Sequence, residues 1–415
     1  MGGFVMLGLN ESWLAPVPKT WQVRKFYQTF RLKSGVAITS DRISPDDAFP
    51  VYGGNGLRGY TDDYTHDGTY LLIGRQGALC GNVHMVSEKI WASEHALVVY
   101  PTIKLDQRWL FYVLQTMDLG QYSMATAQPG LSVDNLSTLR LPVPPTELQT
   151  KIAQYLDLRC GEIDDLIAKK RSLLALLAEK RSALITRAVT KGLDPTARTK
   201  PSGIDSLGDI PAQWEARRLR FVGRAQNGIN IGGEFFGKGY PFVSYSDVFK
   251  NFELPQEVTG LVESSDADRN RYTVRSGDIF FTRTSETIEE IGMSSVCLKA
   301  IPNATFAGFL IRVRPYPNIL LPEFSKFYFR NTSLRAFLVK EMNLVTRASL
   351  SQTLLGNIPV LIPPREDQEK IAAFINENLA ALNDVASNIE NAIERLTEYR
   401  AAIITKAVTG ELEVT

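Results

Sequence analysis

Histidine and cysteine are nearly missing from this chain: its 415 residues hold three of each. Cys80, Cys160 and Cys297 are scattered, with no C-x-x-C pair, which excludes an even disulfide framework and points to a reducing, cytoplasmic compartment. His66, His84 and His95 lie within thirty residues of one another, with Cys80 among them, but their spacing matches no familiar zinc site, so no metal is expected. With no histidine elsewhere, a His-dependent triad has no support, and an Asp/Asn-Pro-Pro-aromatic amino-methyltransferase motif is absent. The chain is therefore read as non-catalytic. Long apolar runs are lacking too. None approaches the ~20 residues of a membrane span, and Phe4 to Leu9 is too short and lacks the basic flank of a signal peptide. Met6 stands where an acylated Met-Gly start would carry Ser or Thr. An excess of either charge is also lacking. The net charge of +1 argues against a free-standing nucleic-acid binder that supplies its own phosphate neutralisation.

Two glycine patterns mimic nucleotide sites without their context. Gly54 to Gly59 spells G-x-G-x-x-G, yet Tyr60-Thr61-Asp62-Asp63-Tyr64 follows without a helical apolar period. Gly232 to Lys238 spells G-x-x-x-x-G-K, but Gly239 replaces the magnesium-binding Ser or Thr and Tyr240-Pro241 forbids an early helix.

What is present is a repeat. Pro144 to Leu193 aligns without gaps on Pro363 to Leu412, a shift of 219, with 18 identities in 50 positions. Leu131-Ser132 matches Leu350-Ser351 in the same register, and Val17-Pro18 with Trp21 echoes Ile210-Pro211 with Trp214. The chain is thus two copies of one unit: a head that differs between copies, then a tail that agrees. The boundaries read as a first head over 1–143, a first helix over 144–191, an irregular linker over 192–209, a second head over 210–362 and a second helix over 363–415.

Each proline pair bars a helix from extending upstream. Beyond them apolar residues recur at steps of three and four: Ile152, Leu156, Ile163, Leu166, Leu173, Leu177, Leu184 and Ala188, then Ile371, Ile375, Leu382, Val385, Ile389, Ile393, Leu396, Tyr399, Ile403 and Ala407. That pattern predicts two helices of about 65 Å, at ~1.5 Å per residue. Residues 146–200 carry net +4 and residues 361–415 net −5, which favours pairing of the two helices over two independent ones, in antiparallel sense so that the heads lie at opposite ends. The predicted fold class is mixed α/β heads on long antiparallel coiled-coil helices, with a pseudo-two-fold internal repeat. Strands are predicted at 70–73, 96–100, 279–282 and 310–313, and helices at 107–117 and 322–342.

With these features the chain resembles the specificity subunits of Type I restriction-modification systems. The resemblance rests on the Pro-Pro-x-Glu-x-Gln-x-Lys-Ile-Ala start of each tail and the Ile/Val-Pro-x-x-Trp lead-in to each head. In the first head it also rests on Tyr52 to Tyr60, Leu72 to Gly77 and Trp91 to His95, and in the second on Gly277 to Arg283. It covers essentially the whole chain. It implies two target-recognition domains, each reading one half of a split double-stranded DNA target across a spacer set by the coiled coil. It further implies two methyltransferase subunits, endonuclease-translocase subunits, and S-adenosylmethionine, ATP and magnesium held only on those partners. Phosphate neutralisation by the partners would account for the near-zero net charge. Base readout is then expected from loops carrying Arg, Asn, Gln, Ser or Thr. The candidates are Asn55, Arg58, Arg75 and Gln76 in the first head, and Asn230, Tyr245, Ser246, Arg283, Thr284 and Ser285 in the second, with Arg347 as a phosphate contact. Arg75 and Arg283 stand out because each closely follows an apolar strand-like run. Two other readings share the architecture: a DNA-targeting subunit of a different two-headed modification system, and a coiled-coil scaffold whose heads bind protein.

Overall fold

The proline pairs do what their backbones allow. Pro144-Pro145 and Pro363-Pro364 end short strands, Arg140–Val143 and Pro359–Ile362, and hand the chain to helices Thr146–Lys191 and Arg365–Thr409. The carbonyls of Pro145 and Pro364 accept the first helical bonds, and neither proline has an N–H to leave unsatisfied. Glu147 and Glu366 in the first turns complement the helix dipoles. The computed structural model describes residues 17–77, 79–123, 130–204, 207–285, 290–341 and 348–414.

The chain divides into two units, Met1–Arg171 with Ile389–Thr415, and Ser172–Asn388. The division falls inside both long helices, so each unit holds the start of one and the end of the other. In the first unit, Ile152, Leu156, Ile163 and Ile167 share a core with Ile403, Ile404, Ala407 and Val408, and Arg400 pairs with Asp164 at 2.9 Å. In the second, Ile185, Ala188 and Val189 share a core with Ile371, Ile375 and Leu379, and Arg181 donates to Asn383 at 3.4 Å. Start meets end in both, so the helices run antiparallel. Arg181 and Arg400 are repeat equivalents, as are Asp164 and Asn383; one contact is an ion pair and the other a bond to a neutral acceptor.

The predicted heptad seam is buried at several positions, among them Ile152, Leu156, Ile163, Ile371, Ile375, Ile389 and Ile403, and exposed at others. Leu166, Leu173, Val385 and Tyr399 are exposed, and no residue between 168 and 184 is buried. Cys160 and Ile167 are buried in their stead. Toward the ends, the buried helix residues belong to cores that also hold head residues such as Trp109 in the first unit and Trp214 in the second. A 3.6-residue turn also drifts away from a strict 3.5-residue repeat.

Both heads use one frame. In the first, strands Phe30–Ser34, Ala96–Pro101, Thr69–Gly74 and Val83–Ser87 form an antiparallel sheet in that order. In the second, Gly223–Asn227, Leu310–Pro315, Ile279–Thr282 and Ser294–Val296 form the same sheet. A three-stranded sheet accompanies each: Gly56–Thr61, Phe49–Gly53 and Trp91–Ala92 in the first, Leu261–Val262, Phe236–Val243 and Thr305–Phe306 in the second, the last pairing being parallel in both. A two-stranded ladder closes each head, Gln22–Lys25 with Arg140–Val143 and Glu215–Arg218 with Pro359–Ile362.

The shared sequence motifs hold this frame to the helices. Gln149 and Gln368 are buried. Gln149 accepts from Asp106 N (2.9 Å) and donates to Pro144 O (2.9 Å). Gln368 accepts from Leu321 N (2.7 Å) and donates to Ile319 O (3.0 Å) and Pro363 O (2.9 Å). Each long helix ends at a glycine in the left-handed region, Gly192 (φ +77°) and Gly410 (φ +81°), which L side chains avoid. A Cβ on Gly192 would sit 3.3 Å from Trp214, and one on Gly410 2.6 Å from Pro18 and 3.1 Å from Trp21. The Pro-x-x-Trp lead-in of each head is therefore the seat for the helix end in its own unit.

Two local expectations need correction. The helix predicted over 322–342 is two, Pro322–Tyr328 and Thr332–Glu341, because Asn331 turns its side chain inward and accepts from Leu334 N at 3.0 Å. The linker is not wholly irregular: Thr199–Pro201 pairs antiparallel with Asp209–Pro211.

Candidate nucleic-acid interface

Strand Thr69–Gly74 is buried over its last four residues, as is all of Ile279–Thr282. The residue after each is expelled at the sheet's end, and these residues are Arg75 and Arg283. Arg75 N donates to His95 O (2.8 Å) and Arg75 O accepts from Leu131 N (2.8 Å). Arg283 N donates to Phe309 O (2.9 Å) and Arg283 O accepts from Leu350 N (2.7 Å). The two arginines therefore occupy one position of the shared frame. Arg75 reaches Ser34 Oγ at 2.7 Å.

The other first-head candidates gather around Arg75. Gly53 pairs with Gly56, leaving Gly54-Asn55 as a hairpin turn, so the G-x-G-x-x-G segment is a turn and the start of a strand rather than the start of a helix. A Cβ on Gly54 would meet the backbone of Gln76 and His95, and Arg58 Cδ lies against Gly53. Gln76 Oε1 meets His95 Nδ1 at 3.0 Å, and Glu94 lies 3.1 Å from the other ring nitrogen. Asn55, Arg58 and Gln76 are exposed and Arg75 is half-buried. Asn55, Arg75 and Gln76 thus share one loop cluster, with Arg58 on the strand beside it.

In the second head the structure brings together Asn230, Arg283 and Thr284. Exposed Asn230 lies over Gly308, where a Cβ would collide with its Oδ1. Thr284 and Ser285 pair with Ser349 and Ala348. Tyr245 and Ser246 begin a short helix, Tyr245–Lys250, where the first head has its Gly54-Asn55 turn. The register fixes that match: Ser93 N donates to Tyr52 O (2.8 Å) in one head and Ala307 N to Val243 O (3.0 Å) in the other. Tyr245 stacks on Phe249 and Ser246 is exposed. Arg347 lies outside the described residues.

His95 and Phe309 were not among the sequence candidates, yet each directly holds the candidate arginine's backbone. Other charged residues are spent internally. Asp278, wholly buried, accepts from Arg314 at 2.6 Å through each oxygen and from Arg275 N at 2.8 Å. Arg330 donates to the carbonyls of Val248 (2.7 Å), Phe249 (2.9 Å) and Asn251 (2.8 Å), closing the end of helix Tyr245–Lys250. Burial pulls Arg330 and Arg312 down to about 10, which leaves both charged at neutral pH. His66 is held by Thr65 and Tyr100, each at 2.7 Å. Among the described residues no His, Cys, Asp and Glu gather as a metal site, and no helix is long and apolar enough to cross a membrane.

A frame used twice, with different polar loops at one position, defines a duplicated two-headed protein. The chain belongs to the family of the Type I restriction modification DNA specificity domain, whose model matches residues 18–173 and 211–395. It is 51% identical over 136 residues to the Type I restriction enzyme EcoprrI specificity subunit of Escherichia coli, a match spanning 31% of this chain and 33% of the relative. It is 24% identical over 359 residues to the EcoBI specificity subunit of Escherichia coli, spanning 82% of this chain and 73% of that one. A chain from a structural study of complex assembly and conformational transition in the type I R-M system shares the fold, with a TM-score of 0.68, 15% identity, and coverage of 96% of this chain and 100% of that one.

Proposed function

We propose that the chain recognises a bipartite double-stranded DNA target, one half per head, and performs no chemistry itself. The stretch of helix that both units share sets the gap between the halves. Two methyltransferase subunits dock on the chain and methylate adenine in each half, and endonuclease-translocase subunits cut unmodified DNA. S-adenosylmethionine, ATP and magnesium belong to those partners. The observation that carries this reading is the common placement of Arg75 and Arg283, each at a strand end with the same two backbone bonds, within loop sets that otherwise differ. Guanidinium groups so placed suit guanine O6 and N7, and Asn55, Gln76 and Asn230 suit adenine. Fixed backbones with variable side chains allow one scaffold to read two sequences.

The test is to express the chain with its methyltransferase in a host lacking modification and map N6-methyladenine by sequencing. A motif with two defined halves and a constant gap is expected. Arg75→Ala should then relax one half and Arg283→Ala the other, each weakening discrimination by about 1–3 kcal/mol. No methylation, despite a soluble complex and an active methyltransferase, would overturn the reading.

A further inference from the structure

Phe309 is the most exposed large apolar side chain among the described residues, at 64% of its full accessibility. Isolated exposed apolar residues are common and need no explanation. The position of this one is what distinguishes it. Its carbonyl holds Arg283 N at 2.9 Å, and the preceding Gly308 carries Asn230 on its open face. Counting from the parallel pair, Phe309 is third after Phe306, as His95 is third after Ala92, and each is the residue that holds the candidate arginine. In the first head His95 contacts Gln76 and Glu94. In the second, the ring at that position stands open to solvent.

Resting on the recognition proposed above, we propose that this frame position is a base-contacting position in both heads, and that Phe309 contacts bases through its ring. Three properties support it. The backbone is pinned on the strand side, so the ring is presented at small entropic cost. The flanking groups, Asn230 and Arg283, are those suited to base edges. An exposed phenyl can pack on a thymine methyl or enter a base step, whereas it gains nothing from phosphate. The polar His95 at the same place gives the first head a different preference from the same geometry.

The experiment uses the complex of this chain with its methyltransferase and duplexes carrying the motif mapped for the wild type, with the second head's half randomised. Phe309→Ala should assemble as the wild type does, bind the mapped duplex about 5- to 150-fold more weakly, the range measured for lost base–aromatic stacking, and lose selectivity at one or two positions of that half only. Phe309→Trp should retain most of the affinity. Wild-type affinity and selectivity in Phe309→Ala would overturn the proposal. So would loss of assembly with unchanged DNA preference, which would make the ring a protein contact. If the wild-type complex itself yields no two-part motif, the recognition reading fails, whatever the variants do.

Discussion

The two heads have the same strand order, the same parallel pair, the same helix-seating tryptophan and the same arginine position, yet differ wherever a loop leaves the frame. Where the first head turns in two residues at Gly54-Asn55, the second inserts a helix and does not rejoin its three-stranded sheet until Leu261. Where the first offers His95, the second offers Phe309. What differs lies at the strand ends around the arginine, and what agrees lies against the long helices. The difference teaches that duplication has preserved attachment and released presentation.

Breaking the shared attachment should have the largest effect. Trp214 is buried and donates its ring N–H to Asp367 at 3.0 Å, whereas Trp21 is only half-buried in the equivalent place. Trp214→Ala should destabilise the second unit by about 3–5 kcal/mol, and Trp21→Ala the first by about 1–2 kcal/mol. Hydrogen exchange resolved by unit checks this; equal losses would mean the two seats are energetically alike despite their burial.

Next come the buried glutamines. Gln149→Ala strands Asp106 N and Pro144 O, while Gln368→Ala strands Leu321 N, Ile319 O and Pro363 O. Each stranded buried group costs about 1–3 kcal/mol. Gln368→Ala should therefore lower the urea midpoint more than Gln149→Ala, and the reverse order would show that the count of partners does not set the cost.

The smallest effect follows from an asymmetry of composition. All three histidines are in the first head, and burial lowers the pKa of His66 and of His84 below the ordinary 6.5. The unfolded chain takes up those protons near 6.5 and the folded unit only at lower pH. The neutral rings thus favour folding fully above about 6.5, and that contribution is lost as pH falls below it. Between pH 7.5 and 5.5 the first unit should lose protection against hydrogen exchange relative to the second. Parallel losses would remove histidine as the cause.

Much of this plan could be read from residues alone. The paired prolines, the 219-residue shift and the apolar period gave the long helices, and Tyr70 to Ile73 and Ile279 to Thr282 gave the strands that project Arg75 and Arg283. The neighbours of those arginines could not be read. His95 and Phe309 reach them as the next step of the antiparallel registers that pair Gly74 with Ala96 and Thr282 with Leu310, matches between separate strands that no local period reveals. Nor does sequence separate Arg283 from Arg314 or Arg330. All are arginines near strands or helices, and only the buried Asp278 and the carbonyls around Arg330 show which charges are consumed inside. The exposed seam residues, Leu166 and Val385 among them, have the right spacing, and spacing alone does not report what covers a position.

The second unit is one unbroken stretch of chain, but the first takes its last core residues, Ile403 to Val408, from beyond the second. During synthesis the first head emerges before the second and must wait, with Ile152, Leu156 and Ile163 lacking their partners, until residues 403–408 have been made. Of the two units, the one begun earlier is finished later, and it depends on its neighbour being synthesised before it can close.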